Sequence, residues 1–477
     1  MKLKLKIFTT YISSLTQEEI EYVAQKVKTA DTDIQKILLQ ARQGVQQGYF
    51  SFDPAIDKRN YSLLKKKIEQ ILLVSDIDHQ ITEIHFFTEK ILKDDVTPID
   101  EGKLLALLAE AHPETYYFRE YYRMFQKLRD FLLIRFRKKV LSEVEKYLKE
   151  FESNYQLNID VETVLPQLTE KIIGEFELKE VADSSMADTL LKISQDHRLD
   201  GHNRYSASVR LWFYYLNKGQ YQQMLEHMEY FREAFLIPYY PGRRVLSNYY
   251  ANRLLLHSRL NQIEEALRYG WLSLKQKTSD YLFYVTNMSA VLSRAGRYQE
   301  AHKLMLSAFD EMRHTTQMYN KISFIAQYIH ILIDLKRYKQ AEEFAENYLN
   351  TAIKEVMATR WHLFFAGFFR ALVMQEKFGR LLYVVGKYKI KQLEAQYRQK
   401  PNYLPTMSWY ITLAEFMEGY ISEEKALDAM EAAASQLLDD PLRRQRIAQQ
   451  CEVLEKFQPV MISMLRNRLG LQKATVT

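Results

Sequence analysis

Apolar residues recur at three- and four-residue spacing along most of this chain, the period of helices that bury one face. The pattern predicts a helix within Thr16–Gln47, opened by Thr16 with Glu19 three residues later, a capping-box spacing. Gly48-Tyr-Phe-Ser-Phe-Asp-Pro54 ends it, and periodicity resumes over Leu63–Leu92 with an interruption near Asp76–Asp78. Glu114–Tyr155 reads as one long helix whose buried stripe holds Phe118, Tyr121, Tyr122, Phe125, Leu128, Phe131, Leu132 and Phe136. At the start, Leu3, Leu5 and Ile7 alternate with Lys2, Lys4 and Lys6 in the period of a strand. No second strand pattern accompanies them, so a frayed helix start is expected.

Past the polar stretch Ala182–Ser185 and the turn-like Gln195–Asn203, the pattern repeats itself. Five short turns join successive helical segments: Lys218-Gly-Gln-Tyr221, Leu260-Asn-Gln-Ile263, Ala295-Gly-Arg-Tyr298, Leu335-Lys-Arg-Tyr338 and Gln375-Glu-Lys-Phe378. Three residues beyond the last position of each lie Met224, Ala266, Ala301, Ala341 and Leu381, at intervals of 42, 35, 40 and 40 residues. That is the scale of stacked helical hairpins, in which no unit buries its apolar face alone. Gly219 and Gly296 suit a left-handed helix end, the following aromatic plugs the corner, and the small Ala lets two helices approach.

In the copy Tyr281–Met312, the residues Gly296, Tyr298, Ala301 and Ala308 resemble the tetratricopeptide-repeat (TPR) family, and the resemblance extends over roughly Tyr205 to Leu382. It departs from that family where helices cross: the expected small residue is replaced by Trp212, Leu254, Ile329 and Phe369, and only Ser289 conforms. Longer spacing and bulky crossings are similar to the degenerate arrays of bacterial peptide-sensing regulators. The resemblance implies an all-α protein with a right-handed TPR-like α-solenoid. The expected organisation is an N-terminal long-helix domain (1–158), a helical connector (159–202), hairpin repeats (203–440) and a C-terminal capping helix and tail (441–477). Ser422-Glu-Glu-Lys-Ala426 marks a further capped second helix within the array.

Composition agrees with helices. Only 14 Gly and 10 Pro occur in 477 residues, which disfavours linker-rich and turn-rich all-β chains. Apolar residues at 47% with 33 Tyr and 25 Phe supply a large core. The net charge of +6 arises from 66 basic and 60 acidic residues, a mixed surface that gives no nucleic-acid signature. The basic run Arg135–Lys139 reads as a solvated face, because Glu143, Glu145 and Glu150 follow it. One cysteine, Cys451, excludes an intramolecular disulfide framework. The N-terminal segment lacks an uninterrupted apolar core and a small-residue cleavage site, and apolar runs such as Trp361–Phe369 are too short to span a bilayer. A cytoplasmic protein without a membrane span is the expectation.

Catalytic motifs fail. Gly379-Arg-Leu-Leu-Tyr-Val-Val-Gly386-Lys387 imitates a phosphate loop, but six residues separate the glycines instead of four and Tyr388 stands where a hydroxyl ligand is needed. Cys451, in an amphipathic segment, reads as an inert buried thiol. Asp196-His197-Arg198-Leu199-Asp200-Gly201-His202 has metal-ligand types, but Arg198 sits among them and no rigid helical spacing orders them. His330 and Asp334, four apart on a helix, have acid/base spacing that an ordinary side-chain hydrogen bond also explains. No cofactor, metal or enzyme activity is assigned.

In TPR-like arrays the first helix of each hairpin lines a concave groove. Aligning the copies places Arg210, Asn252, Asn287 and Gln327 at one position of four first helices, where amides pair with a peptide backbone as donor and acceptor. Phe283, Phe324 and Tyr328 would flank them as side-chain pockets. The expected function is a non-catalytic scaffold or adaptor that binds a protein or extended peptide. The alternative is a ligand- or peptide-gated regulator acting on an effector or nucleic acid through its N-terminal helices.

Overall fold

The computed structural model describes residues 3–178, 185–400 and 403–471, and the chain is all-helical, with no strand among the described residues. Two compact units form: Met1–Glu175 with Glu180–Thr278, and Phe176–Lys179 with Ser279–Thr477. The boundary at 278/279 falls inside the 203–440 stretch, so its first two hairpins belong to the unit that holds the N-terminal helices. Of the polar stretch Ala182–Ser185, only Ser185 is described, as the first residue of a helix. Among the described residues no helix is long and apolar enough to cross a membrane.

Unit 1 begins with α1 (Leu3–Ser14), α2 (Gln17–Lys26), α3 (Thr32–Gln47) and α4 (Lys58–Ser75), packed around Phe8, Ile20, Ile37, Tyr61 and Leu64. The Thr16–Glu19 capping box is present, but it opens the second helix, and Thr16–Gln47 divides at residues 27–31, where the Asp31 carboxylate caps α3. The alternating Leu-Lys start is helical, as expected. Next come α5 (Ile77–Leu92), α6 (Pro98–Glu110), α7 (Phe118–Ile134) and α8 (Lys138–Glu150). Asp76 both ends α4 and caps α5, which accounts for the predicted interruption. The long helix expected over Glu114–Tyr155 is instead a hairpin: its aromatic stripe is buried from Phe118 to Leu132, while Phe136, at φ 56°, turns the chain and is 82% exposed.

The unit continues through α9 (Glu152–Leu178), which it includes as far as Glu175, and α10 (Ser185–Gln195). The α11 (Gly201–Lys218) and α12 (Tyr221–Phe231) hairpin follows; α12 runs through a π turn, Arg232–Leu236, into α13 (Ile237–Tyr239). The hairpin of α14 (Arg243–Arg259) and α15 (Ile263–Ser273) ends unit 1.

Unit 2 holds α16 (Tyr281–Arg294), α17 (Tyr298–Ser307), α18 (Phe309–His314), α19 (Met318–Asp334), α20 (Tyr338–Ala358), α21 (Trp361–Val373), α22 (Phe378–Lys387), α23 (Ile390–Tyr397), α24 (Thr406–Met417), α25 (Glu423–Ala434), α26 (Pro441–Leu454) and α27 (Pro459–Arg468). Here α16, α19, α21 and α24 pack one on the next, and each also packs on the second helix of its own hairpin. The region expected to hold one capping helix contains two, α26 and α27, and Ser422 caps α25 as predicted.

All five turns read from the sequence share one backbone geometry. Gly219, Asn261, Gly296, Lys336 and Glu376 have φ between 55° and 73°. In each, the next amide donates to a carbonyl five residues back, from Gln220 to Tyr215 (2.9 Å) through Lys377 to Leu372 (3.0 Å), the closure that satisfies free carbonyls at a helix end. Phe136 and Gly419 make the same turn. Met224, Ala266, Ala301, Ala341 and Leu381 are all 0% exposed, as are the bulky crossings Trp212, Ile329 and Phe369. The aromatic plug is not uniform: Phe378 is buried, but Tyr298 is 37% exposed. A Cβ at Gly296 would meet nothing within 4 Å, so only left-handed backbone strain opposes it. Gly296→Ala is therefore expected to lower stability by about 1 kcal/mol, and Lys336→Gly to raise it by up to about 1 kcal/mol, the opposite signs being read by urea unfolding.

Candidate functional site

The four first-helix positions do not form a row of free amides. In unit 1, Arg210 is engaged within the chain: its Nε donates to Thr169 Oγ1 (2.6 Å) and its Nη1 to the Ser206 carbonyl (2.8 Å). Thr169 lies on α9, which runs beside α11 in the same direction, with Asn158 bonded to Asn203 (3.0 Å) and Glu175 paired with Lys218 (2.8 Å). The face of α11 that carries Arg210 is thus covered by the protein's own helix. Asn252 donates to the Asn248 carbonyl one turn back (2.9 Å). In unit 2, Asn287 is half-buried with its Nδ2 screened from solvent and without an acceptor, and Gln327 is half-buried. Phe324 and Tyr328 are buried core residues packed on Phe309, which leaves them no pocket to offer a partner.

The other chemistry-bearing residues are absorbed by packing. Asp196 pairs with Arg198 (2.7 Å), Asp200 with Arg119 (2.7 Å), and His197 with Glu114 (3.2 Å). His202 Nδ1 accepts from Arg119 Nη2 (2.9 Å). The loop thus ties α11 to α7 and to the segment before it, and among the described residues no group of three His, Cys, Asp or Glu could hold a metal. Asp334 turns from His330 to Arg370 (3.2 Å). Cys451 is fully buried, and burial pushes its thiol up to about 11, far from a reactive thiolate. Arg135 and Arg137 of the basic run pair with Asp94 (2.8 Å) and Glu101 (3.3 Å).

What sequence reasoning missed is a groove in unit 2 made from the phosphate-loop look-alike. Gly379–Lys387 lies within α22, and from Leu381 onward its amides bond within the helix, so the segment is no glycine-rich loop. Helical spacing puts Gly379, Leu382, Tyr383 and Gly386 on one face, and that face lines a groove of about 650 Å³. Lys389, Lys391, Glu415 and Tyr420 complete its lining. Lys389 has φ 54°, which turns α22 sharply into α23. Lys391 is ion-paired with Glu415.

The groove combines exposed aromatic rings with a floor that is open at Gly386, whereas at Gly379 the Glu418 carboxylate stands 3.4 Å from where a Cβ would lie. A Cβ at Gly386 would meet nothing within 4 Å, so backbone of a bound chain has open access there. Tyr383 is 56% and Tyr420 73% exposed, two large amphipathic rings presented to solvent. Arg380 stacks on the Tyr383 ring (5.1 Å to its centroid) and is itself held by Glu346 (2.8 Å), which orders one wall. The usable signal in the sequence was the seven-residue glycine spacing, which is one face of a helix. In comparisons with known proteins, neither a protein family nor a curated protein matches this chain.

Proposed function

We propose that the protein is a non-catalytic, protein- or peptide-binding array of TPR-like helical hairpins, and that the α22–α24 groove is its docking face. The single observation that carries this reading is the juxtaposition of the open floor at Gly386 with the exposed rings of Tyr383 and Tyr420. Exposed tyrosines around a close-approach surface are the side chains that dominate binding energy at protein interfaces. The shared turn geometry and the succession α16, α19, α21, α24 support an array that holds such a face rigidly. The occupant is a peptide segment that lays its backbone over Gly386. The groove displaces Arg210, which α9 covers, as the first place to look.

Two variants test this with a peptide-display library panned on the full chain. Gly386→Leu fills the floor where no atom stands in the way and replaces glycine with a better helix former, so stability is expected to hold or rise while enriched peptides lose binding. Tyr383→Ala with Tyr420→Ala is expected to weaken the same peptides by roughly tenfold or more, at unchanged unfolding midpoint. Peptides that bind both variants as they bind the parent protein, or a library that enriches nothing, would overturn the assignment.

A further inference from the structure

Unit 1 contains a second recess, unrelated to the docking groove. It is a partly enclosed cavity of about 180 Å³ where the α4–α5 elbow, the loop from α6 to α7 and the π turn after α12 meet. It far exceeds the roughly 15 Å³ that one water needs, yet is smaller than the pockets of drug-sized ligands, which sets the size of its occupant. Aromatic rings wall it: Tyr116, Tyr121, Phe235 and Tyr239. Phe235 is placed there by the π turn, a helix irregularity frequent at functional sites.

The lining is one-sided in charge. Glu110 and Glu114 line the cavity, and no Lys, Arg or His does. Glu114 is oriented by Tyr239, whose hydroxyl donates to it, and by His197 from outside (3.2 Å). Glu110 is exposed at the rim and forms no ion pair among the described residues. Gln80 donates its Nε2 to the Ser75 carbonyl (3.4 Å), and its Oε1 is packed away from solvent and from the cavity space alike. Two guanidinium groups stand behind the walls: Arg204 lies against the Phe235 ring (5.4 Å to its centroid), hydrogen-bonds the Ser194 carbonyl and also bonds Tyr239, and the charge of Arg244 acts on Tyr116. Burial, then the negative charges of Glu83 and Glu110, push the Tyr121 hydroxyl well above its ordinary pKa, a sign that carboxylates look into this space.

We propose that this cavity binds a small organic cation of the primary alkylammonium class, with its charge between Glu110 and Glu114 and its alkyl part against the rings. The aromatic faces favour a cation over a neutral molecule of equal size, and the carboxylates exclude anions.

Calorimetric titration of the full chain at neutral pH with ethyl-, propyl- and butylammonium chloride tests it, the matching alcohols and carboxylates serving as controls. Saturable binding of at least one ammonium ion in the millimolar range or tighter is expected, with the carboxylates silent and the alcohols weaker. Glu110→Gln and Glu114→Gln should each weaken it roughly fivefold or more, the first without moving the unfolding midpoint, since Glu110 is exposed and forms no ion pair among the described residues. No saturable binding by any of the three ammonium ions, alcohols binding as tightly as they do, or both variants binding like the parent protein would each overturn the proposal.

Discussion

Replacing Arg119 with Met is expected to remove about 3–5 kcal/mol from the stability of unit 1, the largest effect of any single surface-silent change in the protein. Arg119 is 3% and Asp200 0% exposed, and Nε donates to Asp200 Oδ2 at 2.7 Å. The same guanidinium pairs with Glu162 (2.7 Å) and donates to His202. Asp200 has a second duty: its other oxygen accepts from the Asn203 amide (2.8 Å) and caps α11. Burial pushes the Asp200 carboxyl above its ordinary range while the Arg119 charge works against that shift. Without the arginine, a carboxylate remains in a dry site, and its desolvation is no longer offset. Adding Asp200→Asn should restore much of the loss, because Asn keeps the cap and carries no charge. Urea unfolding of the two single variants and the double variant reads the cycle. A loss below about 1 kcal/mol for Arg119→Met, or a double variant weaker than the sum of the singles, would show that the pair is not what holds α7 to α11.

The pair also marks where sequence reasoning stops. Asp200 and His202 were visible as a polar loop with metal-ligand residue types, but their partner stands 81 residues earlier in a stripe that reads only as aromatic core. Spacing cannot report such a contact. Turns show the same divide. Gly219 and Gly296 announce themselves, and Asn261, Lys336 and Glu376 became legible only because they occupy the same place in a repeated pattern. Phe136 makes the identical turn with an apolar residue that fits the helical period, so the pattern runs through it and two helices read as one.

The candidate site was legible in composition but not in conformation. Gly379 and Gly386 drew notice as an imperfect phosphate loop, whereas Leu381, Val384 and Val385 between them are buried on one face of a helix that packs on α24. The cavity in unit 1 had no local signal at all. Its walls come from Gln80, from Glu110–Tyr121 and from Phe235–Tyr239, segments joined only by the packing of α4, α7 and the π turn.

Mild acid should destabilise unit 1 by about 3 kcal/mol per pH unit below about pH 6.5, a slope to which two histidines locked in the neutral form contribute most. His257, which burial also holds below its ordinary pKa, adds to it. Trp212 Nε1 donates to His227 Nδ1 (2.9 Å), so the ring's remaining proton sits on Nε2, facing Ser194 Oγ (2.9 Å), and that hydroxyl passes its own proton to the Leu191 carbonyl (2.7 Å). An indole only donates. A second proton on His227 would set donor against donor in a site that is 5% exposed. His202 meets the same obstacle, because its Nδ1 faces a guanidinium, which also only donates. Burial holds both imidazoles down to about 4, and for His202 the charge of Arg119 adds to it. Their folded pKa values lie below the unfolded value near 6.5, so the unfolded chain binds more protons throughout the window from about 6.5 to about 4. Stability is full above that window and falls as pH drops through it, by about 1.4 kcal/mol per unit for each ring. Two units of acidification would remove about 5 kcal/mol, comparable with the whole stability of an ordinary domain. His227→Gln can keep both hydrogen bonds without titrating, and it should halve the slope that urea unfolding measures between pH 7 and pH 5. Stability that stays flat across that range, or a His227→Gln slope equal to that of the parent protein, would show that the rings are charged in the folded state.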